Sequence, residues 1–286
     1  REMWDHADRP AIIVLTGASG VGKSSFLSAR VVPGLEDTGH LVLRIRGTGS
    51  PLDQLNRLAT AALGGGEVWR GRPLPDLMDA LYAAERRPIA VVLDQVEEVL
   101  TAADASGAGA LQAGLAGILG GGDTRVRFIL STREDYLGAL LRVLHPLPID
   151  LLARTLPLRP LGAEDLMAAL RGPAREGLPV EYRPFRFEDG LVEEIVQDLL
   201  QDLAGEVAPR VQAVGARLWE MVRADVAPIT ITRRHYRDRL GGAKGILARV
   251  LDEAIGDLAL VDQGVAKELL RALTHLPGSA TSRPAP

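Results

Sequence analysis

The stretch Ala11-Ile-Ile-Val-Leu-Thr-Gly17-Ala-Ser-Gly-Val-Gly-Lys23-Ser24-Ser25 runs from a β-branched apolar segment straight into a glycine-rich turn, after which Phe26, Leu27, Ala29 and Arg30 continue in a helical pattern. Gly17 to Ser24 reads G-x-x-x-x-G-K-[ST], the phosphate-binding loop, in the strand-to-helix setting that such a loop requires. Each part has a physical task. Glycines let successive backbone N–H groups curl around a β-phosphate, and the helix start behind them adds partial positive charge. Lysine at position 23 reaches β- and γ-phosphate oxygens, and the serine hydroxyl at position 24 supplies a ligand to Mg²⁺. The expected nucleotide-binding set is therefore Gly17, Ala18, Ser19, Gly20, Val21, Gly22, Lys23, Ser24 and Ser25, with ATP or ADP and Mg²⁺ as cofactors. Lys23 is one of only three lysines among 33 basic residues, so a lysine here is not a by-product of lysine-rich composition.

Such a loop needs a second acidic partner for the cation, carried at the tip of a neighbouring buried strand. Ile89-Ala-Val-Val-Leu-Asp94 has that form, apolar on both faces and ending in a carboxylate. Asp94 thus joins Ser24 as an expected metal ligand, although an aspartate at this place also suits the N-cap of a following helix. Glu97 and Glu98 come next, and either can orient or deprotonate an attacking water; two acids in a first helical turn also complement the helix dipole. Val126-Arg-Phe-Ile-Leu130 ends in Ser131-Thr132-Arg133. Ligands of α/β sheets sit beyond the carboxyl ends of the strands, so Arg133 can point at a γ-phosphate, the alternative being an ion pair with Glu134 or Asp135. The expected catalytic set is Lys23, Glu97, Glu98 and Arg133.

The same apolar, β-branched signature recurs at Leu41–Ile45 and, weakly, at Thr155–Leu158, alternating with helical patterns. Runs that are apolar on both faces belong in a parallel sheet between helices, which predicts an α/β core over residues 1–162. Beyond Gly162 helical periodicity takes over: Leu191, Val192, Ile195, Val196, Leu199, Leu200, Leu203; then Val211, Val214, Leu218, Met221, Val222; then Ile246, Leu247, Val250, Leu251, Ala254, Ile255, Leu258. A helical domain is expected over 163–276, with Pro209 in the first turn of one helix. Residues 277–286 have the composition of a flexible tail.

The chain of 286 residues has room for one large or two small domains, and 47% apolar with 24% charged residues excludes disorder and coiled coil. Without cysteine there is no disulfide scaffold, thiolate metal site or cysteine nucleophile, which fits a reducing, cytoplasmic setting. Its net charge of −4 gives no overall footprint for nucleic acid. The uncharged stretch from Ala105 to Gly122 places Leu111, Leu115, Ile118 and Leu119 on one stripe of a packed helix rather than in a membrane. The first residues, Arg1 to Asp5, are charged and lack an apolar core, so no signal peptide is expected, and a start other than Met suggests a processed or excised chain.

The loop followed by Ser-Ser-Phe-Leu, the stretch Leu93-Asp-Gln-Val-Glu-Glu98, the stretch Ser131-Thr-Arg-Glu-Asp-Tyr136, and Leu158-Arg-Pro-Leu-Gly with Leu170-Arg-Gly-Pro-Ala174 resemble the novel STAND NTPase branch of the STAND ATPases, signalling NTPases related to the AAA+ class. The resemblance covers about residues 10–260. It implies a five-stranded P-loop core, a small helical domain and a winged-helix region. It also implies a slow ATPase used as a switch, in which ADP holds a closed monomer and ATP opens it to self-associate. Partners would be the sensor and effector domains of a longer chain, in bacterial regulation or defence. Lys23 and Ser24 would then hold phosphate and Mg²⁺, Asp94 the same cation, and Arg133 would be the strand-end sensor. Ala208-Pro209 falls where relatives carry a Gly-x-Pro that touches adenine and ribose, with Val207 in place of the glycine, and Trp4-Asp-His-Ala-Asp-Arg9 replaces the family's usual base-seating segment.

Two other readings are open. One is a P-loop kinase whose helical half is a substrate lid; such lids, however, are inserted between strands rather than appended after the sheet. The other is an ATP-dependent DNA-binding regulator, suggested by Arg233, Arg234, His235, Arg237 and Arg239 around Tyr236. Most such runs are solvated or interface charges, so the reading is against nucleic acid, and against a membrane, as a partner. His6, His40, His145, His235 and His275 stand singly, without metal-site spacing, and Trp69 and Trp219 read as packing residues.

Overall fold

A strand that is apolar on both faces is stable only with helices on either side, and the five runs read above join in one parallel sheet whose inner strands β1, β3 and β4 meet that condition. The computed structural model describes residues 11–69, 71–101, 106–119, 125–147, 149–174, 185–201, 207–225 and 229–274. The chain divides into two compact units, one ending at Arg159 and one beginning at Pro160.

In chain order the first unit comprises β1 (Ile12–Gly17), α1 (Lys23–Phe26), a π-helical turn (Leu27–Val31), α2 (Val32–Asp37), β2 (Leu41–Arg46), α3 (Pro51–Ala62), α4 (Leu74–Glu85), β3 (Ile89–Asp94), α5 (Glu97–Thr101), α6 (Ser106–Leu119), β4 (Val126–Arg133), α7 (Leu137–Leu144) and β5 (Thr155–Pro157). The sheet order is β2-β3-β4-β1-β5, all pairs parallel. Side chains alternate across it. Ile12, Val14, Leu43, Ile45, Val91, Leu93, Phe128 and Leu130 face Leu55, Leu77, Leu81, Leu111, Leu115, Leu140 and Leu144 of α3, α4, α6 and α7. Leu15, Ala90, Val92 and Ile129 face Leu27, Val31, Val32 and Leu35, from the helical segment that starts at Lys23. At about 1.5–3 kcal/mol for each fully buried aliphatic side chain, this double layer supplies most of the drive to fold. The expected stripe on α6 is seen, with Leu111, Leu115 and Ile118 buried. Among the described residues no helix is long and apolar enough to cross a membrane.

Two backbone devices fix the carboxyl edge of this sheet. Past β2, the Gly47 N–H donates to the Asp94 carbonyl at 2.8 Å. A Cβ on Gly47 would stand 2.0 Å from the Gln95 carbonyl oxygen, so only glycine admits the chain of β3 at this distance. Gln95 itself takes the left-handed conformation, with φ 60, and turns the chain sharply after Asp94. Ser50 then caps α3, its hydroxyl accepting from the Asp53 N–H at 3.2 Å, with Pro51 in the first turn.

The second unit contains α8 (Ala163–Arg171), β6 (Phe185–Phe187), α9 (Leu191–Gln201), α10 (Val207–Val222), β7 (Ile229–Ile231), a second π-helical turn (Arg234–Arg239), α11 (Gly242–Gly256) and α12 (Leu260–Thr274). Its core gathers Leu166, Leu170, Ile195, Leu199, Val214, Leu218 and Ile246 around the buried Tyr236. Trp219 packs on this core, 5.3 Å from the ring of Phe185, and Trp69 packs on the core of the first unit. One expectation needs correction, and two features lie beyond the sequence reading. The short pair β6–β7 was not legible as strands, because three residues carry too little alternation. The pair is parallel, not the antiparallel hairpin of a wing, so the winged-helix region is not seen among the described residues. On α11 only Ile246 and Ile255 of the apolar series are buried; Val250, Leu251 and Leu258 are exposed. Leu203, the segment from Trp4 to Arg9 and the tail 277–286 lie outside the described residues.

The basic cluster is built into a carboxylate network. Arg233 donates to Glu188 Oε1 at 2.6 Å and Glu194 Oε2 at 2.9 Å, and Arg237 to Glu194 Oε1 at 2.6 Å and Asp198 Oδ1 at 3.2 Å. The Tyr236 hydroxyl donates to Asp198 Oδ2 at 2.7 Å and accepts from the Ala243 N–H at 3.0 Å, and burial first, then Asp198, pushes its pKa up. Two of the cluster's arginines are thus committed to acids of α9 and its approach. The Arg237 hydrogen bond holds the Glu194 carboxyl below its ordinary range despite partial burial, and the Arg233 N–H and guanidinium do the same for Glu188.

Two outcomes are expected from this packing. Gly47→Ala should lower unfolding stability by about 1–3 kcal/mol, because backbone rather than a flexible side chain must give way, and the urea midpoint reads this. Carboxyls with depressed pKa stabilise above their unfolded pKa and cease to as pH falls through the folded value. The melting temperature of the wild type should therefore exceed that of an Arg233→Gln, Arg237→Gln variant at neutral pH, and the gap should close as the pH falls below the ordinary carboxylate range, through the lowered folded values. A gap that persists in acid would assign the stabilisation to something other than these ion pairs.

Candidate functional site

The turn after β1 owes its shape to glycine. Gly20 and Gly22 have φ 62 and φ 102, a region that L side chains rarely adopt, and Gly22 caps α1 in that conformation. Gly17 is constrained by space instead. A Cβ there would meet the Leu158 carbonyl oxygen at 2.7 Å, where the chain leaving β5 crosses the end of β1. The result is a loop from Ala18 to Gly22 that closes on itself, with the Val21 N–H pointing at the Ala18 carbonyl at 3.4 Å and the Phe26 N–H donating to Gly22 at 2.8 Å.

Lys23 opens the helix and is buried, at 7% exposure. Its ammonium donates to the carbonyls of Gly17 at 2.9 Å and Ala18 at 2.8 Å. Ser19, Ser24 and Ser25 are exposed at the surface of the same turn. A buried ammonium on main-chain oxygens, beside exposed hydroxyls and a turn of backbone amides, is a donor set for a polyanion.

Asp94, Ser131 and Thr132 are buried at the carboxyl ends of β3 and β4, and Thr16 at that of β1. β4 lies between β3 and β1, so the loop and Asp94 flank one strand at the same edge. Asp94 Oδ1 makes no hydrogen bond among the described residues. A buried carboxylate oxygen in that state is costly and calls for a cation or a water on one. The acid, the serine at position 24 and the exposed turn therefore fit a hard divalent cation with oxygen ligands. Among the described residues no cluster of three or more His, Asp or Glu forms a self-contained metal site.

Glu97 and Glu98 are half-buried at the start of α5. Glu97 Oε2 accepts from the Arg133 backbone N–H at 3.3 Å, which ties α5 to the tip of β4. The Arg133 guanidinium grips Asp135 with two hydrogen bonds, of 3.0 and 2.7 Å, and lies 5.4 Å over the Tyr136 ring. Its pKa is raised, first by the hydrogen bond to Asp135, against the effect of burial. The local ion pair is thus what the structure contains at this position. The edge brings together Gly17–Ser25, Asp94, Glu97, Glu98 and Arg133; Pro209 belongs to the second unit, in the first turn of α10. Sequence reasoning passed over Gly47, the left-handed Gln95 and the buried hydroxyls of Thr16 and Ser131. A polar pair, Ser131-Thr132, closing an otherwise apolar strand was the one available signal for the last of these.

Among solved structures, the ADP form of the ORC2 protein of Aeropyrum pernix matches with a TM-score of 0.51 and 17% identity over 83% of this chain and 61% of that one. The ADPNP-ADP complexes of the same protein match with a TM-score of 0.48 and 18% identity over 74% of this chain and 57% of that one. The chain spans about three fifths of the length of that protein; at such identity the likeness to the ADP form is one of fold. Comparison with curated proteins gives no significant match. The profile of the family described as Novel STAND NTPase 1 (nSTAND1) matches residues 1–286. With its glycine-rich loop, Asp94 strand and parallel sheet inside that match, the chain belongs to the Novel STAND NTPase 1 family.

Proposed function

We propose that this chain is an ATP-binding switch module with slow ATPase activity. ADP holds it closed, and exchange for ATP opens it for self-association on behalf of sensor and effector domains in a longer polypeptide, in bacterial regulation or defence. One observation carries the reading: a buried lysine inside a glycine-turned loop and a buried, under-bonded carboxylate flank a single strand at one sheet edge.

Lys23 binds the β- and γ-phosphates. Its two carbonyl contacts hold the ammonium in place, and phosphate oxygens compensate its charge more fully than neutral carbonyls do. The N–H groups from Ala18 to Lys23 orient the same phosphates. Ser24 and Asp94 would hold Mg²⁺, which would neutralise charge on the phosphates and so favour transfer of the γ-phosphoryl group to water, with ADP as the leaving group. Glu97 and Glu98 are the acids placed to orient that water. Glu97 is tied to the Arg133 N–H, and the residue after Asp94 is Gln95 rather than a second carboxylate. Both features favour slow turnover, which suits a switch whose ATP state must outlast the assembly of its partners. Arg133 acts as sensor by exchanging Asp135 for the γ-phosphate.

Gel filtration with ATP, ADP or neither tests the switch. An ATP-dependent increase in size is expected, absent in Lys23→Ala, which should also lose ATP affinity by at least an order of magnitude in titration calorimetry; unchanged affinity in that variant refutes the site. Asp94→Asn should weaken ATP binding with Mg²⁺ present far more than in its absence, and equal losses under both conditions would remove the metal role.

A further inference from the structure

Three side-chain oxygens at the carboxyl edge of the sheet are buried and make no hydrogen bond among the described residues: Thr16 Oγ1, Asp94 Oδ1 and Ser131 Oγ. The alternation of the strands sorts them. Thr16 follows Ile12 and Val14 on the face packed by α3, α4 and α6. Asp94 follows Ala90 and Val92, and Ser131 follows Ile129, on the face covered by the helical segment that begins at Lys23. β3 and β4 pair through Leu93 and Leu130, so Asp94 and Ser131 are the next residues of adjacent strands on one face. On its other side Ser131 pairs with Leu15 of β1, just ahead of the loop.

Ser131 is fully buried, at 0% exposure. A hydroxyl there without a partner destabilises the chain relative to alanine, which would fill the same strand position at no polar cost. Its neighbours do not supply that partner. Thr132 points to the opposite face, its hydroxyl directed at the Arg133 carbonyl, and the Arg133 guanidinium is engaged by Asp135. Two under-bonded acceptors side by side, between the strand of the carboxylate and the strand of the loop, match a donor that carries two hydrogens. Bound Mg²⁺ keeps several of its waters when the protein contributes only one or two ligands, and such waters are strong donors.

We propose that Ser131 is a positioning residue for the cation at Ser24 and Asp94: Ser131 Oγ and Asp94 Oδ1 accept the two hydrogens of one water in its hydration shell. This rests on the nucleotide-site reading given above and extends it to a residue outside the loop and the acidic strand tip. Groups that hold a metal's outer ligands typically change its affinity 10–100-fold when removed, and serine suits the task because its hydroxyl rotates to meet the water while fitting a closed strand position.

The test compares wild type, Ser131→Ala and Ser131→Thr in two measurements, the melting temperature without ligand and ATP affinity by calorimetry with and without Mg²⁺. Ser131→Ala should melt no lower than wild type when ligand-free and keep its Mg²⁺-free ATP affinity, yet lose about tenfold of the affinity that Mg²⁺ adds. Ser131→Thr, which keeps the hydroxyl, should retain more of that gain. A ligand-free Ser131→Ala that melts clearly lower assigns the hydroxyl a structural partner and overturns the proposal, as does an undiminished Mg²⁺ gain. Both results leave the nucleotide site standing. A wild type that binds ATP neither with nor without Mg²⁺ overturns that site and this proposal together.

Discussion

The Lys23 ammonium, donating to the carbonyls of Gly17 and Ala18, is the contact on which the carboxyl edge of the sheet is organised. A buried ammonium must be compensated, and neutral carbonyls do so only in part. They can reach it only because the loop bends back on itself, which requires positive φ at Gly20 and Gly22 and close approach at Gly17. The glycines are therefore not merely permissive. They bring main-chain oxygens to the lysine, so one bend sets the resting position of its ammonium.

Asp94 poses the opposite problem on the far side of β4. Its carboxylate ends a strand that is wholly apolar and buried, and one oxygen has no hydrogen bond among the described residues. Nearby groups of opposite polarity are committed elsewhere: Arg133 to Asp135, and the Arg133 N–H to Glu97. The edge thus has, on one side of β4, a buried carboxylate oxygen with no hydrogen bond among the described residues and, on the other, the lysine of the glycine-rich loop. A metal–polyphosphate complex answers both at once, whereas a simple anion or a simple cation answers only one.

How much of this could be read from the chain follows from the range over which each signal acts. The strands of the sheet were legible because burial on both faces removes polar residues from a whole run, as in Ile89–Leu93. The loop was legible because its glycines, lysine and serine act within one turn. The Arg133–Asp135 pair spans two residues, so both of its readings were visible, and only side-chain placement separated them. Ser131 was different. Its meaning depends on Asp94, which lies next to it solely through the pairing of β3 with β4, and nothing local marks that register. The strands β6 and β7 were lost for a related reason, since three residues each leave their pairing partner to define them. The apolar series along α11 was legible as a helix, yet its burial was not: periodicity reports a coherent face, and the exposed Val250 and Leu251 show that a coherent face need not be covered.

The same dependence on distant pairing explains the strain at Gln95. A non-glycine residue at φ 60 costs on the order of 1–3 kcal/mol and persists only where the surroundings over-determine it. Here three contacts do so. The Gly47 N–H holds the Asp94 carbonyl at 2.8 Å, the Gln95 carbonyl lies in the space that a side chain at Gly47 would occupy, and the Val96 N–H donates to Ser131 at 2.9 Å. The chain leaving Asp94 is thereby gripped from both neighbouring strands, β2 through Gly47 and β4 through Ser131. That grip fixes where the Asp94 carboxylate sits relative to the Ser131 hydroxyl, and it turns the following residues so that Glu97 meets the end of β4. The strained residue is thus the joint at which β2, β3 and β4 agree on the position of one carboxylate. Its location, directly after that carboxylate rather than elsewhere along the edge, is what a site requiring a fixed acid would demand.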